Sequence, residues 1–157
     1  MAIQTAYYKS PIGIVRIEGN EEGVHFIDFC EEDQISFREE VPSDLVEAHQ
    51  QIQEYFEGKR KEFTFKINSK GTDFQRTVWN ELVKVPYGQT ASYAELAQQI
   101  QNPKAVRAVA NANRRNPISI VVPCHRIIGS NGSLTGYAGG LWRKEWLLNH
   151  EKNCKLS

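Results

Sequence analysis

The chain has 157 residues, of which 40% are hydrophobic and 24% charged, a composition typical of one globular domain or two small ones. Its 19 basic and 19 acidic residues cancel, so the overall charge does not indicate a nucleic-acid partner. The sequence has no apolar run long enough to span a membrane, and its first residues lack the pattern of a secretory signal. These features exclude a membrane protein and predict a cytoplasmic one.

The charges are distributed unevenly along the chain. Residues 18–62 are rich in Asp and Glu, whereas residues 104–115 hold four cations and no acid. A local basic patch can bind phosphate even in a protein without net charge.

Alternating apolar residues predict strands at residues 12–17 and 24–29, joined by a turn. Residues 42–58 predict a helix, because apolar side chains recur there at helical spacing. Residues 63–67 alternate again and predict a last strand. Residues 68–71 are the predicted linker.

Helix signals dominate the second half of the chain. Thr72 with Gln75 and Ser92 with Glu95 each have the pattern of a capping box, which marks the start of a helix. Asn102-Pro103 predicts the start of a third helix. Short helices joined by tight connections are typical of a helix-turn-helix, although many helical domains that bind no DNA share this pattern.

The third predicted helix has an apolar face, a polar face and a strip of small residues that would allow close approach to a surface. The apolar face comprises Val106, Val109, Ala110 and Asn113. The polar face comprises Lys104, Arg107, Asn111 and Arg114. The strip of small residues comprises Ala105, Ala108 and Ala112. High helix propensity alone would also explain the alanines. The pattern does not separate these interpretations.

Three cysteines are present, namely Cys30, Cys124 and Cys154, without the spacing of a disulfide framework or a zinc site. An isolated cysteine is usually a small buried hydrophobe, and this interpretation is kept for Cys30.

Cys124 has a distinct setting. Residues 118–122 are apolar and should be buried, and they lead directly into Pro123-Cys124-His125-Arg126. Positive charge beside a cysteine favours the thiolate, which is the nucleophilic form. Residues 129–132 then predict a turn, and the glycine-rich residues 136–140 predict a loop whose amides can approach a ligand.

The last predicted helix covers residues 141–151. Leu147, Leu148 and Glu151 share a face that should pack inward, and a buried carboxylate needs a partner. His125 is the candidate, which would give a Cys–His–carboxylate arrangement. A terminal Glu that frays into solvent is the common alternative, and spacing alone favours it.

Residues 72–151 resemble the methylated-DNA–protein-cysteine methyltransferases, also called O6-alkylguanine-DNA alkyltransferases. The matching motifs lie at residues 116–117, 121–128, 136–141 and 144–148, with Pro-Cys-His-Arg at their centre. The resemblance implies an α+β fold with two domains. Residues 1–69 would form a small ribonuclease-H-like α/β domain with an antiparallel sheet. Residues 70–157 would form a mostly helical, winged-helix-like DNA-binding domain that carries the cysteine.

The resemblance also implies a reaction, the single-use transfer of an alkyl group from O6 of a flipped-out guanine to Cys124. His125 would act as base through a water and Glu151 would orient His125. Asn116 would brace the turn before the cysteine, and Tyr93 would help to protonate the leaving guanine. No cofactor and no metal would take part.

The implied partner is double-stranded DNA, bound by a monomer through the minor groove. Arg107 would fill the gap left by the flipped nucleotide. The other implied DNA contacts are Lys104, Ala105, Ala108, Ala112 and Arg114.

The implied substrate pocket consists of Ile127, Tyr137, Ala138, Gly139 and Trp142. Amides near Ala138 and Gly139 would face O6, and the carbonyls of Cys124 and Ile127 would accept from the exocyclic amine of guanine. The family often has serine where this chain has Ala138. The alanine at this position and the bulk of Trp142 do not decide whether the pocket accepts large O6 adducts. The resemblance also does not decide whether the protein repairs O4-alkylthymine.

Two other functions fit part of the pattern. A lesion-recognising, alkyltransferase-like DNA-binding protein without transfer activity would have another residue at Cys124. A cysteine hydrolase would use Cys124, His125 and Glu151, but adjacent Cys and His are unusual in that role and the DNA-binding signals would be unexplained.

Overall fold

The structure, a computed structural model, describes residues 2–154, and its internal contacts divide the chain into one compact unit through Ser69 and a second from Lys70. The fold class is α+β, as predicted. Within the described residues, no helix is both long enough and apolar enough to cross a lipid bilayer.

The first unit contains a three-stranded antiparallel sheet in the order β1-β2-β3 and one α-helix. The bounds are β1 Gln4–Ser10, β2 Gly13–Asn20, β3 Gly23–Cys30 and α1 Val46–Phe56, with 3-10 turns at Glu32–Gln34 and Ser43–Leu45. Strands β2 and β3 lie where the alternating pattern predicts strands, whereas β1 was not predicted.

A fully buried row of side chains crosses this sheet. Ile17 on β2 pairs with Ala6 on β1 and with Ile27 on β3, and all three are inaccessible to solvent. On α1, the predicted apolar face is confirmed, since Ile52 and Tyr55 are completely buried. The core of the first unit therefore lies between one sheet face and α1.

The strand predicted at residues 63–67 is wrong. Only Ile67 forms a bridge, to Val24, and the hydrogen bonds there join Val24 to Lys66 and Asn68. Earlier in the segment, the Gln51 side chain on α1 accepts from the Thr64 amide at 2.9 Å. Because a helix side chain satisfies this amide, the alternating residues follow α1 instead of extending the sheet.

The second unit is mostly helical. Its elements are α2 Asp73–Leu82, β4 Ala91–Ser92, α3 Tyr93–Gln99, α4 Val106–Arg114, a 3-10 turn at Cys124–Arg126, β5 Ile127–Ile128 and α5 Leu141–Asn153. Both predicted capping boxes are confirmed. The Thr72 and Ser92 hydroxyls accept from the amides of Gln75 and Glu95 at 3.1 and 3.0 Å, and the Gln75 and Glu95 side chains accept in return.

The predicted start of the third helix at Asn102-Pro103 is wrong, because α4 begins at Val106. Gln101 adopts a left-handed conformation, with φ of 61°. The Gln101 and Asn102 amides donate to the carbonyls of Gln98 and Ala97, which closes the end of α3 in a Schellman motif. Asn102 thus terminates α3, and a turn precedes α4.

The small-residue strip predicted on α4 needs a correction at Ala112. This residue is 2% exposed, and its carbonyl accepts from the Trp79 indole at 2.8 Å. Ala108 is exposed and Ala105 half-buried. The close packing of α2 against α4 turns Ala112 toward the core, so it cannot contact a ligand at the surface.

Candidate active site

Cys124 begins a buried 3-10 turn at the end of the segment that follows α4. Its amide donates to the Val122 carbonyl at 2.8 Å, and its own carbonyl accepts from the Ile127 amide and, at 3.4 Å, from the Asn113 side chain on α4. The residue is 6% exposed. Both sides of the turn therefore hold Cys124 by its backbone.

Asn116 braces the segment before the cysteine. Its amide nitrogen donates to the Val122 carbonyl at 2.7 Å and to the Ile118 carbonyl at 3.3 Å, while its oxygen accepts from the Ile118 amide. Inside this loop Ile120 has φ of 74°, a conformation that is unfavourable for a β-branched residue. One buried side chain thus fixes a strained loop that ends at Cys124.

His125 is completely buried, and its Nε2 lies 2.6 Å from a Glu151 carboxylate oxygen. This bond assigns the ring proton to Nε2, so Nδ1 is the acceptor. No atom of residues 2–154 hydrogen-bonds to Nδ1. Burial lowers the pKa of His125, against an opposing effect of Glu151, and keeps the ring neutral at pH 7. A neutral, oriented imidazole beside Cys124 can accept a proton.

Glu151 is buried, so the frayed, solvent-exposed position that spacing alone favoured is wrong. Its carboxylate accepts from His125 and from the Gly88 amide, and it forms a bidentate pair with Arg126 at 2.8 and 3.0 Å. Burial raises the pKa of Glu151, but His125 and Arg126 outweigh burial and hold it well below its ordinary value. Glu151 is therefore ionised at neutral pH.

The structure changes the predicted source of positive charge at Cys124. Arg126 directs its guanidinium to Glu151 and to the Val85 carbonyl, at 2.7 Å, and His125 is neutral. The two neighbours that the sequence suggested as cations therefore do not supply a free charge to the thiol.

Lys144 is fully buried near Cys124 and was not among the residues predicted for the site. Its ammonium donates to the Ile127 carbonyl at 2.5 Å and to the Thr135 carbonyl at 2.7 Å. Tyr93 begins α3 and donates from its hydroxyl to the same Thr135 carbonyl at 3.2 Å. The spacing along α5 could have indicated its burial. Lys144 lies three positions before Leu147 and seven before Glu151, so the three side chains share one face of the helix.

The remaining pocket candidates lie on β5, on the loop before α5 and at the start of α5. Ala138 is exposed, and the Gly139 carbonyl accepts from Arg143 at 3.1 Å. Trp142 is 57% exposed and stacks against the Arg143 guanidinium. Ile127 is buried on β5 and Tyr137 half-buried.

The cationic candidates on and before α4 point to solvent. Lys104, Arg107 and Arg114 are all exposed, together with Ala108. Within the described part of the chain, no group of three His, Cys, Asp or Glu residues is arranged to hold a metal ion.

Comparison with known protein families matches both units. Residues 73–153 match the DNA-binding domain of 6-O-methylguanine DNA methyltransferase, and residues 3–69 match its ribonuclease-like domain.

Whole-chain relatives agree with these matches. The chain is 48% identical over 156 residues to a methylated-DNA–protein-cysteine methyltransferase of Methanosarcina acetivorans, covering 95% of this chain and 98% of the relative. It is 44% identical to the constitutive enzyme of that name from Bacillus subtilis, covering 92% of each chain.

Solved structures agree as well. The fold is similar to Mycobacterium tuberculosis O6-methylguanine methyltransferase, with a TM-score of 0.87, 39% identity and coverage of 99% of this chain and 96% of that one. A structure of the M. tuberculosis protein in complex with DNA gives a TM-score of 0.86 and 42% identity, over 96% and 93% of the two chains. The chain therefore belongs to the methylated-DNA–protein-cysteine methyltransferase family.

Proposed function

We propose that this protein repairs DNA by direct reversal, moving an alkyl group from O6 of guanine to the sulfur of Cys124. The observation that carries the proposal is the bond between His125 and the ionised Glu151, which leaves Nδ1 of a neutral imidazole as the base beside a buried cysteine. The names of the relatives support the same activity.

The proposed reaction is a displacement at the alkyl carbon. The thiol proton passes to His125, in this family through a water, and the sulfur then attacks the alkyl group. A carbon–sulfur bond forms while the carbon–O6 bond breaks and its electron pair stays on guanine. A proton from Tyr93 would neutralise the guanine. The product is a thioether, which has no leaving group for hydrolysis, so each molecule acts once.

We propose that α4 presents the protein to duplex DNA in the minor groove. A stacked guanine must leave the helix before Cys124 can reach it, and Arg107 would occupy the gap. Lys104 and Arg114 would contact phosphates, and Ala108 with Ala105 would allow close approach. The exposure of the three cations supports this arrangement, and Ala112 takes no part because it is buried.

The proposed guanine pocket lies between β5 and the loop before α5. Amides at Ala138 and Gly139 would donate to O6, and the carbonyls of Cys124 and Ile127 would accept from the exocyclic amine. Tyr137 and Trp142 would form its walls. We further propose that the protein acts as a monomer in a reducing compartment such as the cytoplasm, where the acceptor remains a thiol.

Intact-mass measurement after mixing the protein with duplex DNA that contains O6-methylguanine tests the function directly. We expect one methyl group per protein molecule, mapped to Cys124, and an equal amount of restored guanine. Cys124→Ala should bind the same DNA and gain no mass.

The alternatives give different results. Binding without mass gain in the wild type would indicate the lesion-recognising, non-transferring protein. Repeated turnover by unmodified protein would rule out single-use transfer.

A further inference from the structure

Lys144 is a buried cation, and burying a charge costs free energy. It is 0% exposed, and two backbone carbonyls, those of Ile127 and Thr135, accept from its ammonium. A buried cation normally requires an anion, because carbonyl oxygens only partly replace water. Among residues 2–154, no carboxylate lies within ion-pair distance of its nitrogen. The buried acid of the site, Glu151, already binds Arg126 with both oxygens.

The titratable groups that face Lys144 are Cys124 and His125 on the 3-10 turn and the Tyr93 ring on α3, whose centre lies 6.0 Å from the ammonium. Burial lowers the pKa of Lys144 to about 8, and a negative charge on Cys124 opposes this effect. The lysine thus stays mostly protonated at neutral pH. The ammonium also bonds to the carbonyl of Ile127, whose own amide bonds to the carbonyl of Cys124. The charge of Lys144 therefore lies beside the residue whose sulfur becomes anionic when it loses its proton in the proposed reaction.

We propose that Lys144 is the counter-charge of Cys124, a positioning residue whose ammonium stabilises the thiolate that forms when His125 takes the thiol proton. The interaction between the two charges does not depend on the proposed function, but its role in alkyl transfer rests on that function. No covalent bond to Lys144 forms or breaks. The proton moves from sulfur to Nδ1 of His125, and the negative charge left on sulfur is balanced by the ammonium.

Reaction of Cys124 with iodoacetamide, followed by peptide mass mapping at a series of pH values, tests the proposal without DNA. For Lys144→Met we expect the pH midpoint of the reaction to rise by about one unit and the rate at pH 7 to fall about tenfold. Lys144→Arg keeps the charge and should keep most of the reactivity. Lys152→Met, an exposed lysine on the same helix, is the matched control and should behave as wild type.

An unchanged midpoint in folded Lys144→Met, or equal losses in the Met and Arg variants, would overturn the proposal. A reciprocal measurement covers the case in which Lys144→Met fails to fold. In Cys124→Ser, the titration midpoint of the Lys144 ammonium, followed by NMR, should fall because its anionic partner is gone. An identical midpoint in both proteins would also reject the idea.

These readouts do not depend on alkyl transfer. If wild-type protein fails to accept methyl groups from DNA but the iodoacetamide midpoints shift as expected, the proposed function fails and the role of Lys144 stands.

Discussion

The Glu151 carboxylate binds two side chains and has a different effect on each. His125 must be held in one tautomer, and the guanidinium of Arg126 must be neutralised because it is 5% exposed. One oxygen accepts from His125 and both accept from Arg126. Orientation of the base and stability of the fold therefore depend on the same carboxylate.

Glu151→Gln should lower the free energy of unfolding at pH 7 by about 3 kcal/mol, because it leaves Arg126 as an uncompensated buried charge. The pKa of Glu151 is lower in the folded protein than in the unfolded one. Its contribution is therefore complete above the unfolded value of about 4.3 and is lost as pH falls through the folded value. Urea unfolding of both proteins from pH 7 to pH 3 should show the difference shrinking in acid.

Glu145→Gln provides the control for this experiment, since Glu145 is exposed on the same helix. We expect it to match wild type at every pH. A Glu151→Gln deficit that is equally large at pH 3 and pH 7 would contradict the ionised, Arg126-bound carboxylate.

Arg107 and Arg115 allow a separate test at the DNA surface, because both are exposed arginines of the α4 region. Arg107→Ala should slow methyl transfer from duplex DNA roughly tenfold, or ~1.4 kcal/mol in the barrier. It should leave the reaction with free O6-benzylguanine nearly unchanged, since the free base needs no flipping. Single-turnover rates with the two substrates measure this.

Arg115→Ala removes the same charge from the same region. A comparable loss in duplex repair by Arg115→Ala would mean that charge alone matters, and equal losses on both substrates would remove the insertion role of Arg107.

At the level of single residues, spacing along α5 left two positions open for Glu151, buried or frayed into solvent, and favoured the second. The resemblance to the family favoured the first, and the structure buries the carboxylate. The partner of the Arg126 side chain could not be predicted from the sequence. A long flexible side chain can reach several partners, and the guanidinium of Arg126 binds Glu151 rather than Cys124, which lies two positions before it in the chain. Charge near a residue in sequence is therefore a weak guide to charge near it in space.

The secondary-structure elements differ in how local their signals are. Thr72 and Ser92 satisfy amides three residues away, so their capping boxes are encoded entirely within four residues. The end of α3 instead depends on a non-glycine residue, Gln101, in a left-handed conformation, which no composition rule favours. The strand predicted at residues 63–67 does not form, because the Thr64 amide bonds to the Gln51 side chain, which lies 13 residues earlier in the chain.

Ser92→Ala should destabilise the second unit by about 1 kcal/mol, because the Glu95 amide loses its cap at the first turn of α3. Denaturant unfolding measures the change. Ser92→Thr keeps the hydroxyl and should recover most of the stability.

Ser130→Ala, at an exposed turn position, is the matched control for Ser92→Ala. Since Tyr93 is the first residue of the capped helix, we also expect Ser92→Ala to slow methyl transfer. Full stability of Ser92→Ala would show that the capping bond contributes nothing.

Across the whole molecule, the absence of net charge hides a strong separation. Residues 1–69 hold 14 acidic and 7 basic residues, whereas residues 70–157 hold 5 acidic and 12 basic residues. The cations predicted to contact DNA all belong to the basic half. Attraction to DNA must therefore come from local charge, and the total charge of a chain is a poor test for a nucleic-acid partner.

This separation predicts how DNA binding responds to salt. A cation that contacts a phosphate releases a counterion on binding, so removing it should reduce the slope of log affinity against log salt concentration by about 1. We expect this change for Arg114→Ala on undamaged duplex DNA, where no transfer complicates the measurement. Fluorescence anisotropy titrations at several salt concentrations give the slope.

Lys61→Ala, an exposed lysine of the acidic half, should leave the slope unchanged. If Lys61→Ala and Arg114→Ala reduce the slope equally, the protein responds to total charge and the proposed α4 surface is wrong. If neither does, Arg114 contacts no phosphate. A change confined to Arg114→Ala would place a phosphate contact at the C-terminal end of α4, as expected if the helix lies along the groove with Arg107 directed at the flipped nucleotide.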